Sequence, residues 1–218
     1  MILKNSKGFS LIELSIVLII IGLLVAGITG GASLIRSAEL RAVISEIRNY
    51  QTAINAYYTA VGELPGGVDS DQMEFSETGV AWHDLYEEGI TDIDPTTTTT
   101  GATSLDSDYG IDSKIKGSFY VLGYNEGAMD QNVIFLISDG GTGGTAETVT
   151  DLEDIGDTVT TLTNPSITRR DANFLDSKMD NGVIDSGRVY SFNAGTGTCS
   201  YSTTDTTKDC VIAIGIGL

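Results

Sequence analysis

The chain has little of what most enzymes and nucleic-acid-binding proteins depend on. It contains one histidine, His83, and two cysteines, Cys199 and Cys210, among its 218 residues. No Cys-X-X-Cys pair, zinc-ligand spacing or serine–histidine–aspartate set is recognisable, so we do not expect an enzyme. Only 12 residues are lysine or arginine, against 30 that are aspartate or glutamate. This imbalance disfavours a phosphate-binding surface, and no nucleic-acid partner is expected.

Charged residues are also absent from one long stretch near the N-terminus. No Asp, Glu, Lys or Arg occurs in residues 14–35, a run of 22 residues. A helix needs about 20 apolar residues to span a bilayer, so this run is long enough to do so. Lys4 and Lys7 precede it, and positive residues there favour a cytoplasmic N-terminus. The sequence therefore predicts one membrane-spanning helix with most of the chain outside the cytoplasm.

Glu13 stands at the start of this apolar run and needs an explanation. A carboxylate near the centre of a membrane helix costs about 2.5–3.5 kcal/mol, and less near the interface. The residues one turn away, Phe9 and Val17, carry no charged side chain. Cleavage after Gly8 would leave a free amine on Phe9, and a neighbouring helix shifted by one turn would bring that amine to the carboxylate. We therefore expect Glu13 to be neutralised between two helices.

The segment Gly8-Phe9-Ser10-Leu11-Ile12-Glu13, followed by an apolar run, resembles the class III signal of type IV pilins and type II secretion pseudopilins. The resemblance implies that a prepilin peptidase, which is also the N-methyltransferase, removes the leader 1–8 and methylates Phe9. It also implies that Glu13 pairs with the N-terminal amine of an adjacent subunit during assembly. The leader contains two lysines, so its removal would change the formal net charge from −18 to −20.

Helical periodicity continues beyond the apolar run. Proline and glycine in Leu64-Pro65-Gly66-Gly67 end it. We therefore expect one helix from Phe9 to about Val61, with a transmembrane and assembly half at 9–35 and an amphipathic half at 36–64. The amphipathic half is predicted from apolar residues that recur at steps of three and four: Val43, Ile47, Tyr50, Ile54, Tyr57 and Val61.

The remaining residues, 65–218, are numerous enough for one globular domain. We predict a short helix at 81–90, with Trp82, Leu85 and Tyr86 packed inward, and a second after the cap residues Thr168 and Asp171. By the resemblance, the expected fold is α+β and type IV pilin-like: a long N-terminal helix packed on an antiparallel sheet of about four strands, with short helices and long loops. The predicted strands are 118–122, 132–137, 188–192 and 211–216.

The two cysteines fall in the part expected outside the cytoplasm, where disulfides form. We predict a disulfide between Cys199 and Cys210, with two free thiols as the alternative. On the chain-entropy account, closing so short a loop contributes about 3 kcal/mol. The pair also resembles the disulfide-bounded C-terminal region of pilins.

A cluster of oxygen-bearing side chains surrounds the turn at Gly182. Oxygen ligands on a tight turn suit calcium, which some pseudopilins bind. The spacing is not that of an EF-hand, because Lys178 occupies the third position and glycine the seventh. We therefore expect a solvated turn after a helix and no cofactor, with calcium as the alternative. The candidate ligands are Asp176, Asp180, Asn181 and Asp185.

The features and the resemblance together imply the structural subunit of a type IV pilus-like filament. Its expected partners are the prepilin peptidase, further copies of itself and other pilin-like subunits, and an inner-membrane assembly platform. The chain would cross the inner membrane once before assembly and then lie in an extracellular or periplasmic filament. The alternative within the class is a type II secretion pseudopilin. The alternative outside it is a membrane-anchored binding domain that does not polymerise.

Overall fold

The computed structural model describes residues 9–66, 78–93, 110–125, 129, 131–138, 165–183, 186–193, 197–199 and 208–217. The chain divides into two compact units, one ending at Glu39 and the other beginning at Leu40. The elements, in chain order, are α1 (Leu11–Val61), α2 (Thr78–Glu87), β1 (Ile111–Asp112), β2 (Ser118–Asn125), β3 (Gln131–Ser138), β4 (Ile167–Thr168), α3 (Arg169–Met179), β5 (Val189–Asn193), β6 (Gly197–Thr198) and β7 (Lys208–Gly215).

The first unit contains the apolar part of α1. Residues 11–35 include no buried residue, and the helix has the length and composition needed to cross a membrane. Helix α1 ends at Val61, as predicted, and begins at Leu11, two residues after the predicted start at Phe9. Gly62 follows it with a φ of 89°. No proline precedes Pro65, so nothing in the sequence removes a backbone N–H from the helix interior.

In the second unit, the remainder of α1 packs its apolar stripe into the core. Val43, Ile47 and Ile54 are fully buried, and they belong to the same hydrophobic cluster as the sheet residues Tyr120 and Ile212. The ring of Tyr50 lies edge-on to those of Trp82 and Tyr120, with centroids 5.0 and 5.2 Å away. Such edge-to-face pairs contribute about 0.5–1.5 kcal/mol beyond the area they bury.

Glu46 links α1 to the first hairpin of the sheet through polar contacts. Its Oε2 accepts hydrogen bonds from the Tyr120 hydroxyl at 2.9 Å and from the Lys114 backbone N–H at 3.2 Å. The Lys114 ammonium lies 3.8 Å from Oε1. Burial, reinforced by the Glu46 charge, raises the pKa of Tyr50 to about 12. Both tyrosines are therefore neutral hydrogen-bonding groups at physiological pH.

All strand pairs in the described part of the sheet are antiparallel, in the order β1-β2-β3-β7-β5-β6, with β4 also paired to β7. Strand β3 lies between β2 and β7 and is buried from Asn132 to Ile137, so both faces of the sheet are covered there. One face belongs to the cluster that contains α1, and the other to a cluster around Phe119, Phe135 and Phe192. This explains why the sequence of β3 is continuously apolar and not alternating.

The predicted α+β architecture and antiparallel sheet are confirmed, and the four predicted strands correspond to β2, β3, β5 and β7. Three two-residue strands were not predicted, because two residues carry no periodicity. Thr168 caps α3 as expected, since its hydroxyl oxygen accepts the Asp171 N–H. The inward packing of Tyr86 is wrong: it is 41% exposed, while Trp82 and Leu85 fill the buried face of α2.

The packing of α1 gives a direct test of the stripe. Ile47→Ala should reduce the free energy of unfolding by about 2–5 kcal/mol, because it leaves a cavity in a fully buried site. Val61 lies on the same stripe but is 43% exposed. Val61→Ala should therefore change the free energy of unfolding by no more than about 0.5 kcal/mol. Thermal unfolding of the full-length mature chain in detergent measures both. Equal effects of the two substitutions would contradict the packing.

Candidate assembly site

The first turn of α1 carries a polar arrangement that orients Glu13. Ser10 precedes the helix, and its backbone N–H donates to Glu13 Oε2 at 2.8 Å. The Leu14 N–H donates to the Ser10 carbonyl at 3.2 Å, which closes the first turn. A glutamate three residues after a serine is the capping-box arrangement, in which the carboxylate satisfies a backbone donor at the helix start. A negative charge there also interacts favourably with the helix dipole.

This local hydrogen bond was missed when Glu13 was considered only as half of an intermolecular pair. The signal was present in the sequence as Ser10-Leu11-Ile12-Glu13. The bond occupies Oε2, while Oε1 accepts no hydrogen bond from the described residues. A carboxylate has about four lone-pair sites, so the bond to Ser10 leaves room for a cation. Glu13 Oε2 is therefore bonded within its own helix, and Glu13 Oε1 can accept a hydrogen bond from another molecule.

Phe9, the predicted new N-terminus, directly precedes this turn. Its side chain is 91% exposed and makes no buried contact. Gly8 and the rest of the leader lie outside the described residues. The predicted roles of Gly8 and Phe9 in processing, and of Phe9 and Glu13 in assembly, remain predictions.

After Glu13, the hydroxyl groups of Ser15 and Thr29 on the apolar part of α1 form hydrogen bonds within the helix itself. The Ser15 hydroxyl donates to the Ile12 carbonyl at 2.9 Å. The Thr29 hydroxyl lies 3.1 Å from the carbonyls of both Val25 and Ala26. A lipid-exposed segment must satisfy its polar groups internally, because no water is available there. The Ser15 and Thr29 hydroxyls meet that requirement.

The apolar part of α1 contains four glycines, which leave its surface without side chains at those positions. A Cβ built at any of them meets nothing within 4 Å in the single chain, so packing within the chain does not require glycine at these positions. Small residues on membrane helices allow close approach of another helix. The first ion pair after the apolar run joins Arg36 and Glu39, with Arg36 Nη1 lying 3.0 Å from Glu39 Oε2. The glycines are Gly22, Gly27, Gly30 and Gly31.

Three of the four candidate calcium ligands, Asp176, Asp180 and Asn181, lie at the C-terminal end of α3. Asp180 Oδ2 accepts the backbone N–H groups of Arg188, at 2.6 Å, and Val189, at 3.4 Å. Asn181 Oδ1 accepts the Val183 N–H at 2.7 Å. These two side chains therefore already hold the turn together. Gly187 makes this possible, because its φ is 93° and a Cβ there would overlap the Asp180 carboxylate.

Asp176 differs from its neighbours, and the expectation of solvated carboxylates is wrong for it. The side chain is fully buried, and neither carboxylate oxygen has a hydrogen-bond partner among the described residues. It lies one turn after the buried Ala172, which places it on the inner face of α3. Burial raises the pKa of Asp176 to about 6, and the nearby negative charge of Asp180 also raises it. The Gly182 N–H lowers this pKa, although it is not placed for a hydrogen bond to the carboxylate.

Calcium binding remains an untested alternative. Asp185 lies outside the described residues. Within the described ranges, no group of three or more His, Cys, Asp or Glu side chains is arranged to hold a metal ion. Asp176 has both oxygens available, whereas Asp180 and Asn181 already accept backbone hydrogen bonds.

The predicted disulfide is present. Cys199 and Cys210 are bonded, with their Cα atoms 5.8 Å apart, and both side chains are fully buried. The Cys199 N–H donates to the Ser191 carbonyl of β5 at 3.1 Å, and Cys210 lies in β7 opposite Asn193. The bond therefore ties the chain after β6 to a central strand of the sheet.

The protonation of Asp176 predicts a pH-dependent effect of its removal. The raised pKa means that folding favours the protonated acid. The contribution of this group to stability is present below its ordinary pKa of 3.8 and is lost as the pH rises to about 6. Asp176→Asn should therefore stabilise the chain at pH 7.5 by about 1–3 kcal/mol and have little effect at pH 4. Thermal unfolding in EDTA measures both.

The exposed Asp112 of β1 supplies the control for this measurement, and Asp112→Asn should have no such pH-dependent effect. If Asp176→Asn raised the free energy of unfolding equally at pH 7.5 and pH 4, the charge of the buried Asp176 carboxylate would not be the cause. The calcium alternative makes the opposite prediction: added calcium would stabilise the unsubstituted chain and not the Asp176→Asn variant.

Comparison with known proteins identifies the N-terminal region. A family profile described as the prokaryotic N-terminal methylation motif matches residues 3–29. No curated protein and no solved structure matches the chain. The chain therefore carries a prepilin-type signal, which is typical of type IV pilins and pseudopilins. With the long N-terminal helix and the antiparallel sheet, this signal indicates a pilin-like subunit that begins as a membrane-anchored precursor.

Proposed function

We propose that this chain is the structural subunit of a type IV pilus-like filament, cleaved between Gly8 and Phe9, methylated at Phe9 and polymerised through α1. The observation that carries the proposal is the match to the methylation motif at residues 3–29 on a helix with no buried residue from 11 to 35. Such an apolar surface requires lipid before assembly and other helices afterwards.

Glu13 supplies the interaction that sets the arrangement of neighbouring helices. Its Oε2 accepts the Ser10 N–H, and Oε1 is open towards the surroundings. The Phe9 amine of a neighbouring copy, shifted by one turn, donates to this open oxygen. The two opposite charges interact more strongly here than at a water-exposed surface, because the surrounding dielectric is low. Without that partner the carboxylate must protonate or remain as an uncompensated charge beside lipid.

A pilus subunit is preferred to a secretion pseudopilin on the basis of the C-terminal region. The buried Cys199–Cys210 disulfide links the last strand of the sheet to the segment after β6, and it resembles the disulfide-bounded region of pilins. Deletion of the gene distinguishes the two: loss of surface fibres supports the pilus subunit, and loss of protein secretion with fibres intact supports the pseudopilin.

A membrane-anchored domain that never polymerises is less consistent with Glu13. Such an anchor gains only the capping bond and a helix-dipole interaction of about 0.3–1 kcal/mol, and it would insert more readily without a carboxylate at the edge of its apolar segment. The capping bond to Ser10 satisfies a backbone N–H, but glutamine at the same position supplies the same acceptor. The negative charge itself therefore calls for a cation from outside the chain.

The charge of Glu13 can be tested separately from its capping role. Glu13→Gln keeps an acceptor for the Ser10 N–H and removes the charge, so insertion and cleavage should survive while assembly falls by about tenfold or more. The measurement is the ratio of subunit in sheared filaments to subunit left in the membrane, with the variant as the only copy of the subunit.

Glu39→Gln is the matched control, because Glu39 lies on the same helix and pairs with Arg36 of its own chain. This variant should assemble normally. Normal assembly of Glu13→Gln would show that the carboxylate does not determine assembly, and the non-polymerising anchor would then be favoured.

Processing provides an independent test. The mature chain should begin at Phe9 and carry a methyl group on its N-terminal nitrogen. Gly8→Val should leave the leader attached, because a branched side chain obstructs the cleavage position. Intact-mass measurement of membrane-purified protein from cells containing the peptidase distinguishes the two forms. An unsubstituted chain that still begins at Met1 in such cells would contradict the proposal.

A further inference from the structure

The second unit contains a cavity bordered by α1, α3, β5 and β7. Its volume is about 200 Å³. The volume of liquid per water molecule is about 30 Å³, so the cavity admits a carboxylate with its methylene groups. Its lining residues are Arg48, Gln51, Met179, Arg188, Val189 and Ile214.

The charge of this cavity is opposite to that of the chain. Two of the six lining residues are arginines and none is acidic, although the chain has a formal net charge of −18. Lining residues taken at random from a chain with 30 carboxylates and 12 cations would more often be acidic than basic. The lining of this cavity therefore favours an anion over a cation as its ligand.

The backbone carbonyl of Gly215 holds the two sides of the cavity in position. It accepts hydrogen bonds from Gln51 Nε2 at 3.0 Å and from Arg188 Nη2 at 3.4 Å. The backbone N–H of Arg188 is fixed independently by Asp180 Oδ2 at 2.6 Å. Among the described residues, the Arg188 guanidinium donates only to Gly215, and a guanidinium offers five donors in a planar fork that matches a carboxylate.

Arg48 has no partner of its own in the described part of the chain. Its side chain forms neither an ion pair nor a hydrogen bond there, and it is exposed. Arg36 pairs with Glu39, and Lys114 with Glu46. Arg48 and Arg188 give the cavity two lining residues whose guanidinium groups are chemically suited to bind a carboxylate.

We propose that the Arg48–Arg188 cavity receives an Asp or Glu carboxylate from a neighbouring copy of this chain in the filament. This inference rests on the proposed function and adds a second inter-subunit contact to the one at Glu13. Arg48 and Gln51 lie on α1, the helix through which the copies are proposed to pack. The large surplus of carboxylates on each copy supplies the complementary charge. Because a guanidinium can donate two parallel hydrogen bonds to one carboxylate, this contact would also restrict the orientation of the neighbouring copy's domain.

Charge removal at the cavity is the first test. Arg48→Gln and Arg188→Gln, combined, should lower the fraction of subunit in sheared filaments by about fivefold, as expected for loss of one charged contact per interface. Assembly should also become less sensitive to salt, because screening acts on the removed charges. Arg41→Gln is the control: Arg41 is an exposed arginine of the same helix that does not line the cavity.

Zero-length crosslinking identifies the carboxylate. Arg48→Lys places a primary amine in the cavity, and a carbodiimide joins that amine to any carboxylate it contacts. In assembled filaments we expect a covalent dimer on a denaturing gel, with the bond mapped to position 48. Detergent-dispersed subunits should give no such dimer. The Lys114–Glu46 pair, at 3.8 Å within one chain, provides an internal positive control in every sample.

The outcomes separate this inference from the proposed function. Normal assembly of the double variant, together with no dimer through position 48 in filaments, would overturn the inference and leave the filament proposal intact. A bond from position 48 to a carboxylate of the same chain would also overturn it. If the unsubstituted chain forms no filaments at all, both the proposed function and this inference are wrong.

Discussion

The structure depends on one electrostatic constraint: a single carboxylate at the edge of an apolar helix. Glu13 is the last charged residue before Arg36, and the segment between them has no buried residue. The bond to the Ser10 N–H fixes the direction of the carboxylate but does not neutralise it. On the proposed function, the cation comes from another copy of the chain, as the amine that cleavage before Phe9 would create. Neutralisation of Glu13 would then connect processing to polymerisation.

The same helix changes character beyond its charged pair at Arg36 and Glu39. Up to that point its apolar residues face all directions, which suits lipid or other helices. From Leu40 onward only one stripe is apolar, and the structure buries it against the sheet together with Trp82 and Tyr120. The sheet can accept a helix on this face because β3 and β7 are apolar on both faces. One helix thus supplies both an assembly surface and part of a domain core.

The sequence predicted those elements whose signal is local and periodic. The stripe from Val43 to Ile54, the capping of α3 by Thr168 and the longer strands follow from spacing alone. The short strands β1, β4 and β6 do not, because they form only through pairing with distant residues. Asp176 lies one turn after Ala172, on the apolar stripe of α3, but its polar side chain was expected to face water; only the packing of α3 shows that it is buried, whereas Asp180 is half-buried.

The candidate sites divide in the same way. Glu13 and its partner role follow from the composition of a short segment, and even its capping bond could have been predicted from Ser10-Leu11-Ile12-Glu13. The arginine cavity could not, because Arg48 and Arg188 come together only through the packing of α1 near β5 and β7. Long-range contacts of this kind depend on the register of the sheet, which brings Gly215 beside both Gln51 and Arg188.

The most direct test of the central claim is a density map of the assembled filament at near-atomic resolution. The distance to measure runs from Glu13 Oε1 of one copy to the N-terminal nitrogen of Phe9 in the adjacent copy. The account predicts a hydrogen-bonded ion pair at about 2.7–2.9 Å, with Oε2 still accepting the Ser10 N–H. A Glu13 carboxylate that faces lipid, or that pairs with a cation other than the Phe9 amine, would contradict it.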